Sequence, residues 1–162
     1  MTVHERVEQI YEAERENIYS YLVYFGIPAT RAQELAQESF LKLYYKMSKG
    51  GSIENPRAWL YKVAHNLALR SYRHELKFGE WNPDFEPADA RPDPERALRE
   101  QQQRSVLNDC VRRLSPQQRN CLHLRVQGLR YREIAEVTGI SISAVGEFLR
   151  RATARLKEAI NG

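Results

Sequence analysis

The sequence lacks the residue clusters from which metal sites and disulfide frameworks are built. Its 162 residues include two cysteines and four histidines. Cys110 and Cys121 are not spaced as a CxxC pair, and only His123 lies near them, so metal ligands are not clustered. Two cysteines also make no disulfide framework in a chain of this length, which favours buried thiols in a reducing compartment. We therefore expect no metal and no cofactor.

The sequence also lacks long apolar runs and the motifs of common enzymes. No run approaches the roughly 20 apolar residues of a membrane-spanning helix, and the N-terminal residues 1–6 are too polar for a signal peptide. A glycine-rich phosphate loop and a Ser/His/Asp or Cys/His arrangement are missing. The sequence predicts a cytoplasmic protein without membrane insertion that has no catalytic residues and is not an enzyme.

Strand signals are nearly absent, whereas helical spacing recurs throughout the chain. We predict helices over residues 7–25, 30–47 and 56–76. A capping box of Thr30 and Gln33 would begin the second helix, and Asn55 would cap the third with Pro56 at its first position. The apolar stripes of the second and third helices consist of Ala32, Leu35, Ala36, Phe40, Leu43 and Met47, and of Leu60, Val63, Ala64, Leu67 and Ser71.

Composition changes abruptly after residue 77. Residues 78–96 are acidic and contain Pro83, Pro87, Pro92 and Pro94, a combination that stops helices and resists folding. Helical patterning then resumes. The sequence predicts an all-α fold of two small helical domains, residues 1–77 and 97–162, joined by a flexible acidic linker, residues 78–96. The net charge of +4 fits either a polyanionic partner or a solvated basic surface.

The C-terminal part carries the spacing of a helix-turn-helix. Ala135 is small enough for a close helix crossing, Gly139 can adopt the left-handed conformation of the turn, and Val145 would fill the contact between the helices. Ser141 would cap the second helix. An ordinary helical hairpin could carry the same residues. Basic residues on and near the second helix favour contact with DNA phosphates; they include Arg150, Arg151, Arg155 and Lys157.

These motifs resemble those of the extracytoplasmic-function (ECF) sigma factors of the sigma-70 superfamily. Residues 114–160 resemble region 4 of that family, with agreement at Leu114, Pro116, Arg119, Gly128, Leu129, Tyr131, Glu133, Ile134, Ala135, Gly139, Val145, Arg151, Ala152 and Leu156. In the N-terminal half, ELAQESF at residues 34–40 and PRAWLYKVAHNLA at residues 56–68 resemble region 2. The two motif sets occur in the family's order and cover nearly the whole chain.

The resemblance implies a sigma factor that binds core RNA polymerase, recognises double-stranded promoter DNA and holds a melted single strand. It also implies an anti-sigma factor as a partner. Polymerase would contact Glu34, Gln37 and Glu38. The minus-ten element would contact Lys62, Asn66, Arg70, Arg73 and Tyr61, and Trp59, which could also stack on a base, is interpreted as core. The minus-thirty-five element would contact Arg113, Arg119, Ser143, Glu147, Arg150 and Arg151.

The second helix of the helix-turn-helix departs from the family pattern. Gly146, Glu147 and Phe148 stand where Lys-Ser-Arg is common, and a helix-interior glycine costs about 1 kcal/mol relative to alanine. Glu147 would repel phosphate but can accept from a cytosine amino group. Phe148 could touch a thymine methyl group or pack beneath the helix.

The alternative function is a helix-turn-helix transcription regulator that acts without being a polymerase subunit.

Overall fold

The computed structural model describes residues 1–75, 110 and 113–161, and every regular element in these ranges is an α-helix. The prediction of an all-α fold is confirmed. The predicted acidic linker lies outside the described residues. The helices are α1 (Val3–Phe25), α2 (Ala29–Ser48), α3 (Pro56–Glu75), α4 (Pro116–Val126), α5 (Tyr131–Thr138) and α6 (Ile142–Asn161). None of the described helices combines the length and apolar character needed to cross a membrane.

The first helix begins earlier than its apolar pattern predicts. The Thr2 hydroxyl accepts a hydrogen bond from the Glu5 amide at 3.2 Å, and the Glu5 carboxylate accepts one from the Thr2 amide at 3.0 Å. This capping box satisfies two of the free amides of the first turn. At the other end, Gly26 adopts φ 112°, a left-handed conformation that ends the helix.

The predicted capping box of α2 is wrong, whereas the predicted cap of α3 is confirmed. The Ala32 amide donates to the Pro28 carbonyl at 2.8 Å, so the first turn of α2 forms before Thr30 and places Thr30 inside the helix. In α3, the Asn55 side-chain oxygen accepts from the Ala58 amide at 3.1 Å. Proline at position 56 then costs no helical hydrogen bond.

Helices α1, α2 and α3 pack pairwise around the apolar stripes that their sequences predict. Ile18 and Leu22 of α1, Leu35 and Leu43 of α2, and Leu60 of α3 are at most 1% exposed. Burial of each such side chain contributes roughly 1.5–3 kcal/mol. The N-terminal half therefore has a closed three-helix core that leaves the outer faces of α2 and α3 exposed.

Helices α4, α5 and α6 pack pairwise in the C-terminal half, with α5 and α6 forming the predicted helix-turn-helix. Gly139 has φ 76° and makes the turn, and the Ser141 hydroxyl accepts from the Ala144 amide at 3.1 Å to cap α6. Ile134 and Val145 are fully buried between the two helices. The predictions for the turn, the cap and the helix contact are confirmed.

The two halves pack against each other along a contact that we call the seam, formed by α1 with α4 and by α3 with α5. Buried residues of both halves belong to one apolar cluster. Arg57 of α3 lies with its Nε 2.8 Å from the Glu14 carboxylate of α1 and donates from Nη2 to the Gln127 carbonyl, while Asn55 donates to the Glu133 carboxylate of α5. In the described residues the predicted domains thus share a core.

The centre of the seam is aromatic. Tyr21 is fully buried, its hydroxyl lies 2.7 Å from Nδ1 of His65, and its ring centre lies 5.6 Å from that of His123. Because burial disfavours the charged imidazolium, the pKa values of both histidines fall to about 4. Cys110 and Cys121 are buried and unpaired, as the sequence predicts.

Candidate nucleic-acid and protein interface

The outer face of α2 presents the polar residues that the sequence assigns to polymerase binding. Glu34, Gln37 and Glu38 are exposed, because they lie on the side of the helix opposite the buried Leu35 and Leu43. The Glu34 carboxylate lies 2.8 Å from an Arg31 guanidinium nitrogen, in an ion pair that is open to solvent. The three predicted residues therefore form one accessible patch.

Exposed apolar residues extend this patch, and the sequence analysis missed them. Leu41 is 68% exposed and Tyr45 61% exposed, one turn and two turns beyond Gln37 and Glu38 on α2. A groove of about 490 Å³ runs beside them between α1 and α2, lined by His4, Val7, Glu8, Tyr11, Gln37, Phe40, Leu41 and Tyr44. The sequence does contain a signal for this surface. Leu41 and Tyr45 are apolar residues that lie outside the apolar stripe of α2. Apolar residues in such a position are typical of protein contacts.

The outer face of α3 carries a polar and basic track. Lys62, Asn66 and Arg70 are exposed at successive helical turns, as their spacing predicts. Arg73 belongs to the same helix, but its side chain lies outside what the structure describes. An amide flanked by two cations can contact a base edge and the phosphates on either side of it.

Tyr61 is buried completely, which contradicts the prediction that it contacts minus-ten DNA. Its ring packs edge-on against Tyr21 of α1, with ring centres 5.6 Å apart. The Arg57 guanidinium lies 5.9 Å from the ring centre on another side. Helix α1 covers α3 on the side that carries Tyr61, next to the predicted apolar stripe. Tyr61 is therefore a core residue.

A second groove lies between α2 and α3, next to the exposed track of α3. It is lined by Glu38, Leu41, Lys42, Tyr45, Lys46, Lys49, Gly51, Trp59 and Val63. Trp59 is half-buried there, so it packs on the core and still borders the groove. Gly51 lies close to the end of α2, since a Cβ at that position would meet the Lys46 carbonyl at 2.9 Å. The sequence analysis missed Lys42 and Lys46 of α2 and Lys49 directly after it. Their spacing of four and three residues indicates that they share one face.

Helix α6 presents one exposed face with both signs of charge. Ser143, Glu147, Arg150 and Arg151 lie at positions that share this face. The two carboxylate oxygens of Glu147 lie 2.5 Å from Arg150 Nη2 and 3.0 Å from Arg151 Nε. The hydrogen bond from Arg150, followed by the charges of both arginines, lowers the pKa of Glu147. The carboxylate is therefore ionised at neutral pH.

The remaining predicted residues of the C-terminal half differ in their accessibility. Arg119 is 9% exposed on α4, which contradicts the prediction that it contacts DNA. Arg113 is exposed just before α4, and its carbonyl accepts from the Arg155 guanidinium. Phe148 is half-buried and packs on the core, in agreement with the alternative that places it beneath the helix.

Comparison with known proteins places both halves in one family. The Sigma-70 region 2 model matches residues 10–77, and the Sigma-70 region 4 model matches residues 104–156. The RNA polymerase sigma factor YlaC of Bacillus subtilis is 31% identical over 94% of this chain and 90% of its own length. The ECF RNA polymerase sigma factor BldN of Streptomyces coelicolor is 30% identical over 91% of this chain and 58% of its own length.

Solved structures give the same fold. The sigma factor CnrH, in complex with the cytosolic domain of CnrY, superposes with a TM-score of 0.64 at 21% identity, over 98% of this chain and 89% of CnrH. The sigma factor RpoE of Bartonella quintana, in complex with the anti-sigma factor NepR, gives 0.64 at 20% identity, over 95% of this chain and 96% of RpoE. The chain belongs to the sigma-70 family and is an RNA polymerase sigma factor of the extracytoplasmic-function group.

Proposed function

We propose that α2 docks this chain on core RNA polymerase, that α3 holds melted minus-ten DNA, and that α6 reads the minus-thirty-five element. The observation that carries the proposal is the adjacency of two different exposed surfaces within the segment matched by the region 2 model. A patch of carboxylates, an amide and apolar side chains lies on α2, and a track of cations around an amide lies on α3. The first suits a protein partner and the second a polyanion.

The groove between α2 and α3 supports the assignment of melted DNA to this part of the surface. Lys46 and Lys49 provide charge for a phosphate backbone, and Trp59 provides a ring at the edge of the groove. Lys49 Nζ lies 4.4 Å from the centre of the Tyr45 ring, which keeps a cation beside an exposed aromatic face. A single strand with an unstacked base fits this combination better than a duplex does, because stacking requires an open base face.

The chain acts in this proposal as a regulatory subunit in the cytoplasm, with no catalysis of its own. An anti-sigma factor is a further proposed partner. The two structural neighbours named above were solved in complexes, one of them with an anti-sigma factor. In this chain, the exposed Leu41 and Tyr44, which line the α1–α2 groove, provide apolar surface for such a protein.

Binding to purified core RNA polymerase tests the assignment of α2. Replacement of Gln37 and Glu38 together by alanine removes two exposed side chains from the centre of the patch. We expect the dissociation constant measured by fluorescence titration to rise about tenfold, which corresponds to a loss of about 1.4 kcal/mol if one of the two side chains is a central contact.

The matched control replaces Gln9 and Glu12 of α1 by alanine, because this pair has the same chemistry and is exposed outside the groove. The control is expected to bind as the wild type does. Equal affinities for both double variants would contradict the assignment to α2. A wild-type chain that binds promoter DNA but not core polymerase would instead favour a regulator that acts without the polymerase.

A further inference from the structure

Glu147 sits between two arginines on the exposed face of α6. One carboxylate oxygen lies 2.5 Å from Arg150 Nη2 and the other lies 3.0 Å from Arg151 Nε, so each oxygen holds a different side chain. The exposed fractions are 39% for Glu147, 75% for Arg150 and 60% for Arg151. The three side chains thus point away from the core as one connected group.

We propose that Glu147, Arg150 and Arg151 form one base-reading unit that selects a C·G base pair in the major groove, with Glu147 positioning both arginines. This inference rests on the proposal that α6 reads the upstream promoter element. An ionised carboxylate has about four lone-pair sites, and the two arginines occupy one on each oxygen. Glu147 therefore retains acceptor capacity between two groups of free N–H donors.

The donor and acceptor pattern of this unit matches a C·G base pair. In the major groove, cytosine displays an amino donor, and guanine displays O6 and N7 as paired acceptors. The carboxylate can accept from the cytosine amino group while an adjacent guanidinium donates to guanine. An A·T pair also displays an amino donor, but its thymine edge carries a methyl group and a single oxygen, which fit a guanidinium less well.

Glu147 also determines what the arginines do when they meet DNA. Unrestrained arginines on a helix in the major groove reach phosphates, which strengthens binding to every sequence equally. A carboxylate between them opposes that contact, since it repels phosphate and lowers the charge of the group from +2 to +1. Glu147 therefore weakens binding to DNA of any sequence and strengthens the discrimination between base pairs.

The experiment compares Glu147→Ala with Glu158→Ala in full-length chain bound to core polymerase. Glu158 is exposed near the other end of α6, so both variants remove one negative charge from the same helix. Each holoenzyme selects from a pool of double-stranded DNA whose upstream element is randomised. The selected sequences and the salt dependence of binding to unselected DNA are then measured.

We expect Glu147→Ala to reduce the preference for C·G over other pairs at one position about tenfold, as loss of one good base contact does. Its binding to unselected DNA strengthens, and the slope of log affinity against log salt steepens by up to about one, because a released arginine gains a phosphate. Glu158→Ala changes neither quantity. Helix content measured by circular dichroism stays that of the wild type in both variants.

Two results overturn the inference while the proposed function stands. One is an unchanged base preference in Glu147→Ala. The other is an equal change in salt slope in both variants, which would assign the effect to net charge instead of positioning. If the wild-type holoenzyme selects no upstream sequence at all, the assignment of α6 to promoter reading fails and the inference fails with it.

Discussion

Glycine occupies two positions of the helix-turn-helix for different physical reasons. At Gly139 the backbone has φ 76°, a conformation that side chains with a Cβ rarely adopt. Gly146 lies inside α6, and a Cβ there would meet Tyr131 Cε2 at 3.7 Å, an ordinary van der Waals distance. Only the first glycine is required by the fold of the chain.

Gly146→Ala is therefore expected to stabilise the protein. Alanine in a helix interior is favoured over glycine by about 1 kcal/mol, which corresponds to a rise of about 2–4 °C in melting temperature for a chain of this size. Thermal unfolding followed by circular dichroism measures the shift. Gly139→Ala is the comparison. A Cβ at this position would meet no atom within 4 Å, but alanine would be strained at this positive φ, so the melting temperature should fall. A lower melting temperature for Gly146→Ala would contradict the argument.

Individual residues were predictable from the sequence wherever their role depends on local geometry. Asn55, Gly139 and Ser141 act as predicted, because a cap or a left-handed turn involves only a few neighbouring residues. Tyr61 and Arg119 were assigned to DNA and are buried. Tyr61 is covered by Tyr21 of α1, which lies far away in sequence, and a local pattern does not encode such a contact.

At the scale of single helices, the apolar stripes determine which faces remain available for function. The stripe of α3 places Lys62, Asn66 and Arg70 together outside, and the structure gives them the exposure that their spacing predicts. The helix ends were less predictable. Thr30 has a good capping side chain, yet α2 begins at Ala29 with Pro28 as its N-cap, since the Pro28 carbonyl already accepts the first helical hydrogen bond.

The residues of the track on α3 are expected to contact different parts of the DNA. Asn66→Ala should reduce formation of the open complex about tenfold and leave closed binding unchanged, because an amide contributes mainly to base contacts that exist only after melting. Permanganate reactivity of unpaired thymines measures the open complex, and gel retardation at low temperature measures the closed one.

Lys62→Ala is the matched comparison on the same face. A lysine contacts phosphates, which both complexes possess, so closed and open complexes should weaken together and the salt slope should fall by about one. An Asn66 variant with equal losses in both complexes would contradict the assignment of Asn66 to a melted base.

At the scale of the whole molecule, the seam is the feature that the sequence did not predict. The sequence predicts two helical domains joined by a linker and does not predict how they contact each other. In the described residues, α1 contacts α4 and α3 contacts α5. These contacts join helices that lie far apart in the chain, so local patterns do not predict them. Arg57 shows the difficulty, since its partners Glu14 and Gln127 lie on either side of it at long sequence separations.

The buried His65 and the partly buried His123 make the stability of the folded molecule dependent on pH. Burial lowers the pKa of His65 and of His123 from 6.5 to about 4. The neighbouring Tyr21 and Cys121 are neutral in acid at their ordinary pKa values, and burial raises those pKa values further. Above pH 6.5 the histidines are neutral in both folded and unfolded chains, so they do not change stability there.

Below pH 6.5 the unfolded chain binds protons at these histidines and the folded chain does not until about pH 4. The free energy of unfolding should therefore fall by roughly 1.4 kcal/mol per pH unit for each histidine in this window. Urea unfolding at pH 7 and pH 5.5 measures the fall. In His123→Gln, the fall in the free energy of unfolding that the histidines cause should shrink to the part due to His65. In His4→Gln, which changes an exposed position, that fall should be the same as in the wild type. An unchanged pH dependence in His123→Gln would show that this imidazole is protonated equally in the folded and unfolded chains, and would contradict the lowered pKa of His123.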